Sequence, residues 1–165
     1  MRRASLALFP VAMIAAAGYI VATAPGLPEH VATHFGGSGI ADAWMTRAGY
    51  VRFMLVFVVV LPSVIVAAIG LLPRLFPQWV NVPNRAYWLA PERRDDSLAF
   101  LLAHACWFGV LMEVFVAALH ALLLHANATS PPRLPTLPFV AFLVAFLAAL
   151  AVWIRALYRR FPRPP

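Results

Sequence analysis

The sequence predicts an all-α membrane protein with four transmembrane helices, both termini in the cytoplasm (N-in/C-in), and a polar extracytoplasmic loop between helices 1 and 2. Three observations predict it. Hydrophobic residues make up 63% of the chain and charged residues 12%, about half the charged share of an ordinary soluble domain; mean hydropathy is +0.82. The apolar residues gather in four runs of about 20, the length that spans a hydrocarbon core, and too few polar residues remain to cover a water-facing surface. The arginines stand at the ends of those runs.

Helix 1 runs from Ser5 to about Ala24, behind Arg2 and Arg3. Its apolar stretch exceeds the roughly 7–15 residues of a signal peptide, and the small-residue site Ala22-Thr23-Ala24 is followed by Pro25, so a retained membrane helix is expected. Residues 25–50 form the outer loop, where Gly26, Gly36, Gly37 and Gly39 mark a looped path. Helix 2 covers about 51–72, with a kink expected at Pro62 because proline lacks the N–H that continues the ladder. Residues 73–97 form an inner loop with four arginines, three acids and four prolines, and Trp79, Tyr87 and Trp88 suit a headgroup layer. Helix 3 starts near Pro91, a favoured first-turn residue, with Glu92, Asp95 and Asp96 at its positive end. It extends to about His125, roughly 52 Å at 1.5 Å per residue, so its first turns project beyond the bilayer. A proline-rich connection leads to helix 4 at about 139–157. The whole chain, 1–165, reads as a single integral membrane domain without internal repeats.

Net charge is +7, from 13 arginines and no lysine against six acids. Such a balance raises the question of nucleic acid, but these arginines form no stripe along a polar face; they are topology signals beside anionic headgroups, and no nucleic acid is expected as a partner. Ten of them (Arg2, Arg3, Arg74, Arg85, Arg93, Arg94, Arg155, Arg159, Arg160, Arg163) fall at the two ends and in the inner loop, and three (Arg47, Arg52, Arg133) on the other side. The positive-inside rule therefore puts both termini in the cytoplasm of a bacterial inner membrane. A single cysteine, Cys106, excludes an intrachain disulfide and a cysteine metal framework.

Three groups of residues carry chemistry. In the outer loop, Glu29, His30, His34 and Asp42 place two histidines and two acids within 14 residues, beside Phe35, Gly39 and Trp44. Two roles fit them: a divalent-metal or proton site, for which His30 and His34 would share a helix face, or a compact interfacial cap in which His34 and Asp42 bond the glycine turn and Phe35 and Trp44 anchor at headgroups. In helix 3, Cys106, Glu113 and His120 recur every seven residues and share a stripe with Gly109. Glu113 is the sole acid in a predicted span; a carboxylate there costs on the order of a few kcal/mol unless protonated or paired, so it faces the bundle, with His120 or a group on another helix as partner, or serves as interhelical glue. Helix 3 brings His120 and His125 to the face that holds His34 and Asp42, and His34, Asp42 and His120 are the candidate ligands of a divalent transition metal. Asn127-Ala128-Thr129 fits a glycosylation sequon, relevant only in a eukaryotic secretory setting.

Two segments carry a resemblance. Leu27-Pro28, His34-Phe35, Gly39, Asp42 and Trp44 resemble the signature of the uncharacterised membrane domain at the N terminus of SdpI-type bacterial immunity proteins, a domain also found in small standalone membrane proteins. Val82-Pro83-Asn84, Tyr87-Trp88-Leu89 and Pro91-Glu92-Arg93-Arg94 resemble a segment of the standalone members. Together they frame residues 25–97. The resemblance implies a part in recognising a secreted toxin and relaying its presence to a cytoplasmic partner; this chain lacks the longer multi-helix architecture of the immunity proteins. It also singles out the inner residues Pro83, Asn84, Tyr87, Trp88, Glu92 and Arg93, and favours His34 and Asp42 over His30.

The leading expectation is a non-enzymatic sensing, immunity or partner-binding module whose partners are the lipid bilayer and a protein or a second copy of the chain. The alternatives are a metal- or proton-dependent enzyme or transporter, which needs a homo-oligomer to build a path from four helices, and an accessory subunit of a larger complex. The orientation is open to a direct check: a reporter fused after Pro165 should be active in the cytoplasm, and activity confined to the other side would reverse it.

Overall fold

A computed structural model describes residues 2–163. Four of its helices are long and apolar enough to cross a membrane, over Arg3–Gly26, Arg47–Leu75, Pro91–Asn127 and Thr136–Arg160, the pattern of a multi-pass membrane protein. In chain order the elements are α1 (Arg2–Thr23), strands β1 (His30–Phe35) and β2 (Ala41–Thr46), α2 (Arg47–Val66) continuing through a π turn (Ala67–Leu71) into α3 (Leu72–Leu75), α4 (Arg85–Trp88), α5 (Pro91–Asn127) and α6 (Thr136–Arg160).

The expected all-α architecture needs correction between α1 and α2. There the chain forms an antiparallel two-stranded hairpin, with Val31 opposite Met45 and Ala32 opposite Trp44. Its tip is a glycine turn: Gly36 N–H donates to Ile40 O, Gly39 N–H donates to Gly36 O, and Gly39 takes φ +76°, a left-handed value that glycine adopts without steric cost. An isolated hairpin is marginal in water. This one is held by burial of Val31 and Ala32 against the helix ends and by the bond from Arg47 N–H to Glu29 O at its base. His30 and His34 accordingly lie on a strand, not on one face of a helix.

α2 begins four residues before the expected start, because Thr46 caps it by accepting from Gly49 N–H at 3.1 Å. The helix runs on through the buried Pro62, and the departure from α geometry comes later, in the π turn. Gly70 lies in that turn and faces α5; a Cβ there would stand 2.7 Å from Leu102 Cδ1 and 2.9 Å from Leu102 Cα. The absence of a side chain is what lets the two backbones approach.

α5 is the axis of the molecule. Its 37 residues make about 56 Å, well beyond a hydrocarbon core. α1, α2 and the π turn pack along one side of it, and α6 packs on it separately, with no comparable contact to α1 or α2. α6 has no buried residue of its own; it is held by Phe146 stacked on Phe115 at 4.3 Å and by Trp153 stacked on His104 at 4.3 Å, with Trp153 Nε1 donating to His104 O.

At the end of the bundle that carries the start of α1 and the end of α6, the segment containing Pro83 to Arg93 closes on α6. Phe161 is buried among Val80, Val82, Leu98 and Leu101. Trp88 Nε1 donates to Pro162 O, Arg160 pairs with Asp96 at 2.5 Å, and Ser97 Oγ donates to Trp88 O. Asn84 occupies the left-handed region at φ +53°, and Arg93 lies 4.0 Å over the Tyr87 ring. Glu92 and Arg93 approach to 4.0 Å on the exposed surface.

Replacing Gly70 with alanine should separate the π turn from α5, lowering stability by about 1–3 kcal/mol. The unfolding midpoint of the purified protein in detergent measures it.

Candidate functional site

The end of the bundle opposite the termini brings the hairpin over the ends of α1, α2, α5 and α6, and it presents two distinct surfaces. Outward, His34 Nδ1 bonds Asp42 Oδ1 at 2.5 Å across the hairpin, with the two side chains 71% and 51% exposed. An ionised carboxylate only accepts, so Nδ1 carries the hydrogen and Nε2 is left for another partner. Gly36 belongs to this pair: a Cβ there would come within 3.2 Å of Asp42 Oδ2. Trp44 is 51% exposed beside them.

Two side-chain and backbone clamps fix the platform. Asn127, the last residue of α5, takes the place of a neighbouring strand: Ala32 N–H donates to its Oδ1 at 2.8 Å, and its Nδ2 donates to Ala32 O and to Leu123 O, both at 3.0 Å. The turn is held from the other side, where Leu134 N–H donates to Gly39 O at 2.9 Å. A Cβ on Gly39 would stand 3.2 Å from Leu134 O, so glycine there serves both the turn and the close contact.

Beneath the hairpin lies a cavity of about 330 Å³, with Thr33, Phe35 and Met45 as its roof and α2, α5, Leu134 and Phe139 as its walls. Its lining is apolar except for Thr33 and two buried residues, Tyr50 and His120. These two belong to a hydrogen-bond chain whose direction follows from proton counting. Thr23 Oγ1 has one hydrogen and lies 2.7 Å from Tyr19 O, which can only accept. Its bond to His120 Nε2 at 2.8 Å must therefore be accepted from the ring. In the neutral ring Nδ1 is then the acceptor, and Tyr50 O–H donates to it at 2.7 Å. Tyr19 meets the same imidazole edge-on at 5.3 Å.

The stripe of Cys106, Glu113 and His120 does face the interior, and all three are buried, but they do not act on one another. Cys106 packs with Val66 and Ala105 in an apolar cluster. Gly109 is the seat of the Phe9 ring, with Phe9 Cδ2 2.5 Å from where a Cβ would be. Glu113, 1% exposed, has no hydrogen-bond partner among the described residues for either carboxyl oxygen, and the expected pairing with His120 is replaced by that ring's bonds to Thr23 and Tyr50. His34, Asp42 and His120 are not brought together either: among the described residues, no three His, Cys, Asp or Glu side chains form a group suited to a metal ion. Thr23 and Tyr50 were not singled out by sequence reasoning, and Asn127 only as the head of a glycosylation sequon. A threonine in the last turn of one apolar helix and a tyrosine in the first turn of the next were the available signals.

Residues 11–66 are similar to a family described as a Domain of unknown function (DUF1648). The matched range covers about a third of the chain, from within α1 through the hairpin to the end of α2. It contains His34, Gly39, Asp42 and Trp44 and stops short of the Pro83–Arg93 segment; its description names no immunity function. No curated protein and no solved structure matches the chain.

Exchanging Asn127 for leucine should strip Ala32 of both backbone partners at a cost of about 1–3 kcal/mol. Amide hydrogen exchange at Ala32 should accelerate by about tenfold or more while the centre of α5 keeps its protection.

Proposed function

We propose that this chain is a non-enzymatic membrane module of a bacterial inner membrane, with the hairpin outside and the termini inside, that recognises a partner through its hairpin. The observation that carries the proposal is the rigid platform at the hairpin: an exposed His34–Asp42 pair beside an exposed Trp44, on strands clamped to the bundle by Asn127 and Leu134. Exposed aromatic and charge-oriented polar side chains on a preordered backbone are what a binding surface needs, because little ordering entropy remains to be lost on association. His34 Nε2, oriented by the carboxylate at Nδ1, offers a directed contact, and Trp44 offers apolar area.

At the other end, the Pro83, Asn84, Tyr87, Trp88, Glu92 and Arg93 segment is proposed as the cytoplasmic contact, to lipid headgroups or to a protein. Its arginines suit an anionic surface. Sensing or immunity would then consist of recognition at one end and contact at the other. A second role, proton-dependent or metal-dependent transport or catalysis, is supported by one observation only, the buried carboxyl of Glu113 with neither oxygen bonded among the described residues, since unmet polar atoms in an apolar layer are rare and gather at working sites.

A photoreactive amino acid at Ser38, in the hairpin turn, tests the recognition role in living cells. A discrete crosslinked protein species is expected, weakened about tenfold by His34→Ala or Trp44→Ala. Crosslinks to lipid alone, unchanged by either substitution, would overturn it.

A further inference from the structure

The cavity beneath the hairpin lies on the opposite side of the strands from the His34–Asp42 pair, and the recognition role leaves it unused. We infer that it is a binding site for a single-chain lipid carrying a hydroxyl group, drawn from the surrounding bilayer.

Size limits the occupant first. An apolar protein cavity of about 150 Å³ accepts one benzene ring; by that measure 330 Å³ holds roughly a dozen carbons. The cavity has room for one chain and not for two. The walls suit hydrocarbon: Met54, Phe57, Val116, Leu119, Leu123 and Phe139 all line the space.

Access comes from the lipid side. α2 and α6 each pack chiefly on α5, and neither is a main packing partner of the other; the cavity lies where they meet α5, with the exposed Phe53 at its rim. The hairpin and Leu134 close the cavity at the bundle end. A chain therefore enters sideways between α2 and α6.

The polar requirement follows from the hydrogen-bond chain. Tyr50 spends its one hydrogen on His120 Nδ1, and the phenolic oxygen keeps lone pairs with no donor among the described residues. Tyr50 lines the cavity, so a ligand hydroxyl that donates to that oxygen completes the chain Tyr19 O, Thr23, His120, Tyr50. An ether or hydrocarbon of equal length leaves it incomplete. The site thus selects a chain by length and an end group by its hydrogen.

The test uses the full-length protein in lipid nanodiscs with a dodecanol bearing a diazirine near its chain end, and the methyl ether of the same molecule. Mass spectrometry should place the alcohol's adducts on α2 and α5 residues that line the cavity, with about fivefold more labelling than the ether gives there. Tyr50→Phe should bring the alcohol down to the ether's level. Leu119→Trp, which fills the space, should abolish labelling by both while leaving the Ser38 crosslink intact, so this site and the hairpin surface fail separately. Should Leu119→Trp not fold, the alcohol-to-ether ratio on the unaltered protein decides. Equal labelling by the two probes, or adducts spread evenly over the lipid-facing residues of α6 such as Val144 and Val152, would overturn the inference.

Discussion

One imidazole holds the hairpin end of this protein together. His120 projects from α5 and binds α1 through Thr23 and α2 through Tyr50, while Thr23 passes its own hydrogen to the backbone of α1. In an apolar interior each of these polar groups alone would be costly; joined in series, each donor meets an acceptor until the chain reaches the Tyr50 oxygen. Three helices from distant parts of the sequence are thereby fixed at one level. The hairpin springs from the ends of two of them, so its position over the bundle depends on the same bonds.

That arrangement separates two surfaces that share a backbone. The hairpin exposes His34, Asp42 and Trp44 while Thr33, Phe35 and Met45 roof the cavity, with the strand pairing shifted on either side of His34. Asn127 and Leu134 meet the hairpin's free backbone groups, much as added strands would, which supplies rigidity that two strands alone lack. Side chains outside the His120 chain, such as Trp44 on one surface and Leu119 on the other, can thus be altered independently.

At the other end the packing logic is aromatic and cationic. Trp88, Phe100 and Phe161 surround Arg160, which also reaches Asp96. The Pro83–Arg93 segment therefore anchors the end of α6, a helix otherwise held by its aromatic stacks on α5. Its motif-like residues have a structural duty in addition to any contact they make with a partner.

Hydropathy alone determined the four long helices, because the length of an apolar run is a local property that a bilayer reads directly. Proline's first-turn preference likewise predicted the helix start at Pro91, and helical spacing with the cost of a buried carboxylate predicted an inward face for the Cys106, Glu113 and His120 stripe. The hairpin was missed because its strands are short and glycine-flanked, and two strands become stable only against helix ends that sequence does not bring into view. Partnership was decided by tertiary structure alone. His120 could not be assigned to Thr23 and Tyr50, nor Asn127 to Ala32, because residues 70 to 97 positions apart meet only once the helices have packed. The cavity belongs to that same level: it is enclosed jointly by the hairpin, α2, α5 and Phe139 of α6, and no residue encodes it singly.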